Sequence, residues 1–199
     1  MRIVTAQELE SWLANGKVLE KDIRGPKVVA LDNGLFLKIF HTRRHPLLAR
    51  LRPPACRFQR NTMHLRQLGI AAPDVRDVFW LDESLGLSGC LYIPLPGESI
   101  ESLHRHHPNE TRELLPSLAV FVRSLHNEGV YFRSLHLGNI LYLGNHNFGL
   151  IDVLDMKFKR GPLSRGLVRR NLAHLTSHLH RHEVPGFPLD VLLNFYDRS

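Results

Sequence analysis

The sequence predicts an α+β protein of two lobes, a small antiparallel sheet followed by a mostly helical half. Three observations carry this. Between residues 17 and 93, short apolar runs alternate with turn signals, the mark of paired strands. The stretch "PLPGES", 94–99, puts two prolines and a glycine into six residues, which reads as a linker. Beyond it the apolar residues recur at helical spacing, above all Leu114, Leu115, Leu118, Val122 and Leu125. The expected division is therefore 1–93 and 94–199. Hydrophobic residues make up 43% and charged residues 23% of the chain, which suits a folded core rather than a disordered tract.

The elements follow in order. Thr5 and Glu8 have the spacing of a capping box that opens a helix running through about Ala14, with Gly16 ending it. "KVLEKDI" (17–23) and "PKVVALD" (26–32) read as strands, and Asn33-Gly34 is a hairpin signal. "LFLKIF" (35–40) is the third strand and carries Lys38. Breaks at Pro46 and Pro53-Pro54 precede a helix on which Phe58, Thr62, Leu65 and Leu68 share a face. "VFWLD" and "GLSGCLYI" form a second hairpin. After the linker we expect a short helix near 100–106, a long one over 110–127, and strands in "NILYL" and "FGLIDVL". Helices near 165–181 and 188–196 complete the chain.

Charge is unevenly placed. The net charge is +7. His41 to Leu68 holds Arg43, Arg44, Arg50, Arg52, Arg57, Arg60 and Arg66 and no acid; Met156 to Arg170 holds Lys157, Lys159, Arg160, Arg165, Arg169 and Arg170 and no acid. These two segments carry half of the 26 Lys and Arg residues. Such patterning points to an anionic partner: a nucleotide, a phosphorylated glycolipid or an anionic membrane surface. Nucleic acid is the weaker expectation, because no aromatic residues interleave the basic ones for base stacking. No apolar run is long enough to span a membrane, and the start lacks an apolar signal region. Two cysteines, Cys56 and Cys90, are too few for a disulfide framework. The expected location is the cytoplasm, with peripheral attachment to the inner membrane if the partner is a lipid.

Four local signals occur in a telling order. They are Lys38 in "LFLKIF", the stretch "LYIPLPGESIESL", the loop "LHNEGVYFRSLHLGNIL", and "GLIDVLD". Together they resemble the protein-kinase-like fold. They resemble small bacterial kinase-like proteins related to the sugar kinases of the lipopolysaccharide core (heptose and Kdo kinases), and the short Pseudomonas toluene tolerance proteins. The resemblance implies a nucleotide-binding first lobe and a Mg-ATP phosphotransferase acting on a sugar or glycolipid hydroxyl. It implies that Lys38 grips ATP phosphates, that Leu91 and Ile93 meet the adenine edge, and that Asn139 and Asp152 hold Mg²⁺. Thirteen residues separate that pair, as the pattern requires. Asn139 offers a carbonyl oxygen and Asp152 a carboxylate, the hard donors Mg²⁺ needs.

Three positions depart from the pattern. Ser134 stands where the catalytic Asp belongs, five residues before Asn139, so a hydroxyl replaces a carboxylate base. His136 and Asp155 are the nearby groups that could substitute. Asn61 stands where a helix Glu would pair with Lys38; an amide can accept its hydrogen bond but cannot neutralise it. Only Gly25 occupies the glycine-rich phosphate cover. "RNLAHL" is similar to the "R-x-x-D-L-x-x-L" helix of the sugar kinases, with Asn171 for Asp. The alternative reading is a catalytically inactive pseudokinase that binds nucleotide or anions.

Other chemistry finds less support. His174, His178 and His182 fall at i, i+4 and i+8, and "LHRHHP" (103–108) clusters three more histidines. Without an HExxH pattern or a nearby Cys, ordinary helix faces are the expectation there. No P-loop, GxGxxG or G-x-S-x-G motif occurs.

Overall fold

The structure, a computed structural model, describes residues 1–41, 46–181 and 184–198. Arg43, Arg44 and His182, singled out above, lie outside them. The elements are α-helices and strands mixed along the chain, which makes the protein α+β. The chain divides into two compact units, residues 1–64 with 73–94, and residues 65–72 with 95–199.

The first unit is built on a six-stranded sheet in the order β1-β5-β6-β4-β3-β2. Its strands are β1 (Arg2–Ile3), β2 (Lys17–Asp22), β3 (Gly25–Ala30), β4 (Phe36–Phe40), β5 (Asp74–Asp82) and β6 (Leu87–Ile93). The Asn33-Gly34 signal sits in the β3–β4 connection. Gly34 has φ +80, and Asn33 Oδ1 accepts from the Leu35 N–H at 3.1 Å. Alternation buries Val29, Leu37, Ile39 and Phe79 with Val4, and Leu9, Trp12 and Leu13 of helix α1 (Ala6–Asn15) pack against them. Edge strand β2 is exposed along its whole length and carries Lys17, Glu20, Lys21 and Asp22, the charged design that discourages edge-to-edge pairing.

Two expectations change here. The sheet is mixed rather than antiparallel, because β1 runs parallel to β5 with Arg2 beside Phe79 and Ile3 beside Trp80. Two residues are too few to leave an alternation signal. The capping box is half made: Thr5 Oγ1 accepts from the Glu8 N–H at 3.1 Å. The Glu8 carboxylate does not return to Thr5 but binds Arg2, whose Nε also reaches Asp77 at 2.9 Å. Residues 41–68 hold no acid of their own, but Arg50 pairs with Glu83 at 3.6 Å.

Helix α2 (Pro46–Leu51) and helix α3 (Pro54–Gln67) follow β4. Phe58 and Thr62 are buried, as their spacing predicts.

The second unit joins a three-stranded sheet to four helices. Its strands are β7 (Glu98–Ser99), β9 (Ile140–Gly144) and β10 (Asn147–Leu150), in the order β10-β9-β7. Strand β8 (Val130–Phe132) pairs with β11 (Met156–Phe158) as a separate antiparallel ribbon. Helix α4 (Ile100–His106) is capped by Ser99, whose hydroxyl accepts from the Ser102 N–H. Helix α5 (Pro108–Asn127) buries Leu114, Leu115, Leu118, Val122 and Leu125, the face its periodicity marks. Helix α6 covers Arg165–Arg181 and helix α7 covers Leu189–Arg198. Among the described residues, no helix is long and apolar enough to cross a membrane.

Candidate functional site

The loop after β8 and the turn before β11 are brought side by side by the ribbon they flank. Phe132 lies opposite Met156, so residues just outside the ribbon on each strand are neighbours. Ser134 Oγ donates a hydrogen bond to Asp155 Oδ2 at 2.7 Å. The other carboxylate oxygen, Asp155 Oδ1, is buried and accepts no hydrogen bond. A carboxylate therefore lies one hydrogen bond from the position where the sequence lacks one.

Asn139 closes this loop. It is buried on a 3₁₀ turn (Leu137–Asn139), and its Nδ2 donates to the Ser134 carbonyl at 3.0 Å. Its backbone N–H donates to the His136 carbonyl, and its carbonyl accepts from the Ile151 N–H at 3.0 Å. These bonds leave Oδ1 as the ligand-capable atom of the amide. They also place the backbone of Asn139 beside that of Asp152's neighbour. Asp152 is exposed and left-handed, φ +52, at the start of the 3₁₀ turn Val153–Asp155. Asp tolerates that conformation better than most residues.

His136 points elsewhere. Its ring stacks on His178 of α6 with centroids 3.9 Å apart and planes 11° apart. His178 Nε2 in turn lies 3.2 Å from Glu101 Oε2 of α4.

In the first unit, Lys38 lies on β4 between Val28 and Cys90. Its Nζ is 5.7 Å from the ring centroid of Phe58 on α3. Asn61, nearly one turn further along α3, is buried. Leu91 is flanked on both sides of β6, by Leu37 and by Asp77, whereas Ile93 at the strand end pairs with Asp74 alone and is exposed. The β2–β3 connection is a tight turn, with Asp22 opposite Gly25 and Asp22 Oδ1 accepting from the Arg24 N–H. Cys90 is fully buried, and burial pushes its thiol up to about 12.

A buried polar network underlies the loop. His126 Nδ1 lies 2.7 Å from the Tyr196 hydroxyl and its Nε2 lies 3.2 Å from Asn171 Oδ1. Asn171 Nδ2 donates to the Phe132 carbonyl. An amide Oδ1 only accepts, so His126 carries its proton on Nε2, and Tyr196 donates to Nδ1. Burial, aided by the charge of Arg123, holds the imidazolium pKa below the ordinary value against the raising effect of Asn171. The Asn171 departure thus has a local reason: an amide can bridge a histidine donor and a carbonyl acceptor, and a carboxylate cannot.

Nearby, a groove of about 570 Å³ is lined by Arg123, Arg165 and Arg169 together with His126, Thr176, Tyr196 and Asp197. All six basic residues of the 156–170 segment are exposed. Asp155 had only its proximity in sequence to recommend it. Glu101 and the His126–Tyr196 pair left no local signal, because their partners lie 35 to 77 residues away. The chain matches no protein-family model, and no curated protein is significantly similar to it.

Proposed function

We propose that the chain is an ATP-dependent phosphotransferase of protein-kinase-like type, acting on a hydroxyl of an anionic sugar or glycolipid. The observation that carries this is the 2.7 Å hydrogen bond between Ser134 Oγ and Asp155 Oδ2. In this reading Asp155 is the base that position 134 does not supply, and Ser134 orients it. The acceptor oxygen forms a bond to the γ-phosphorus, the bond from γ-phosphorus to the bridging oxygen breaks, and ADP leaves. The acceptor proton goes to Asp155. Asn139 and Asp152 would hold Mg²⁺, which when bound would neutralise charge on the phosphates. The Arg123, Arg165 and Arg169 groove, which Asp197 also lines, favours an acceptor that is itself anionic.

A second reading rests on the β2–β3 turn. It is too short to offer the row of backbone N–H groups that usually covers the phosphates. This favours a binding module without turnover. One experiment separates the two. ATP at about 100 times its dissociation constant adds roughly 2.7 kcal/mol of stability, seen as a melting shift in the presence of Mg²⁺. Phosphate transfer to a phosphorylated core sugar is then followed for wild type and Asp155→Asn. The enzyme reading expects transfer that falls about 10²–10⁴-fold in the variant. Binding without transfer supports the module, and no nucleotide-dependent shift with Mg²⁺ or Mn²⁺ sinks both.

A further inference from the structure

Glu101, His136 and His178 each offer one ligand atom, and these atoms lie within 4.8 Å of one another. They come from three separate segments: α4, the loop after β8, and α6. We propose that they form a binding site for a transition metal of the Zn²⁺ class, whose occupancy pins the 133–139 loop to the two helices. The site uses no nucleotide and does not rest on the phosphotransferase reading.

The donor set decides the metal. Two imidazoles and one carboxylate form an N₂O set, which favours Zn²⁺ over Mg²⁺ or Ca²⁺. Three protein ligands leave a fourth position for water or an anion. Glu101 is held for this role from behind: Arg105 Nη2 binds Oε1 at 2.9 Å, which turns Oε2 toward His178. Burial opposes ionisation of Glu101, but His178 and Arg105 outweigh it and keep the carboxyl below its usual range. The ligand is therefore ionised at neutral pH.

The backbone leaves room at the same point. A Cβ on Gly138 would sit 3.1 Å from His136 Nδ1 and 3.2 Å from Glu101 Oε2. The space between two of the ligands is open only because residue 138 is glycine. Its φ is not left-handed, so this glycine answers to space and not to backbone conformation.

Binding requires a small rearrangement. With Zn–N and Zn–O distances near 2.0–2.1 Å, tetrahedral ligand atoms stand about 3.4 Å apart. The three atoms must draw inward, and the stacked imidazoles must tilt out of their stack to aim lone pairs at one point. Protons compete with the metal for the two imidazoles, so binding weakens as pH falls.

The test uses metal alone. Metal-free protein is titrated with Co²⁺, then with Zn²⁺ in competition, following the visible cobalt bands. The expected result is one Co²⁺ per chain, displaced by one equivalent of Zn²⁺. Glu101→Gln, His178→Ala and Gly138→Ala should each weaken binding by at least ~10-fold, and the positioning change Arg105→Ala by about 10-fold. His180→Ala, exposed on the same helix, should leave it unchanged. Circular dichroism confirms that each variant is folded, and Gly138→Ala needs no backbone change to fold. Absence of cobalt bands in the wild type overturns the proposal. So does binding that survives both His178→Ala and Gly138→Ala, which would assign the metal to other histidines.

Discussion

Replacing Asn171 with Asp tests how the candidate loop is held. The side chain is 1% exposed and makes two bonds of opposite sense, accepting from His126 Nε2–H and donating to the Phe132 carbonyl. A carboxylate keeps the first and loses the second. The Phe132 carbonyl still accepts from the Leu135 N–H at 3.1 Å, so it is not orphaned. The cost is a buried charge set against a carbonyl oxygen, at or above the top of the roughly 1–3 kcal/mol of an unsatisfied neutral group. With a urea slope of about 2 kcal/mol/M, a loss of about 3 kcal/mol lowers the midpoint by about 1.5 M.

The pH dependence gives a second, independent readout. In the wild type His126 is held below its ordinary pKa by burial. Its contribution to stability is complete above about pH 6.5, where the unfolded imidazole is also neutral. It is lost as pH falls from about 6.5 toward the depressed folded value, because only the unfolded chain takes up the proton readily. The carboxylate introduced by Asn171→Asp would stabilise the imidazolium and flatten that decline. Urea titrations of both proteins at pH 8 and pH 6 measure both effects. Equal midpoints at pH 8, or the same decline between the two pH values, would refute the reasoning.

Two further outcomes follow from the same structure. Cys90 is fully buried with its thiol pushed up to about 12, whereas Cys56 is half-buried; a thiol reagent at pH 8 should label Cys56 alone in native protein and both after denaturation. Labelling of Cys90 at the native rate of Cys56 would contradict the burial. The double change Arg165→Gln and Arg169→Gln removes two cations from the groove, worth about 1 kcal/mol each near an anionic surface. Sedimentation with anionic phospholipid vesicles should show about 30-fold weaker binding; equal binding removes the groove from the argument.

The local features of this protein were legible because the interactions that make them span a few residues. The Thr5 cap, the Asn33-Gly34 turn, the bounds of α4 and the buried face of α5 depend on neighbours at i+1 to i+4. The basic segment over 156–170 was legible for the same reason, and its residues are exposed. The resemblance directed attention to Ser134, His136, Asn139 and Asp152 as one loop and turn. It did not say which carboxylate, if any, would face Ser134.

Tertiary structure alone decided that. Periodicity reports that a face is buried, never which distant segment buries it. The β8–β11 ribbon sets Asp155 against Ser134 across 21 residues. Helix packing brings Glu101 to His178 across 77 residues and turns His136 toward them, away from the role its sequence position suggested. The parallel pairing of β1 with β5 and the His126–Asn171–Tyr196 network belong to the same class. A side chain's chemistry is written in its type, but its pKa, its tautomer and its partner are set by whichever group the folded chain places within about 3 Å of it.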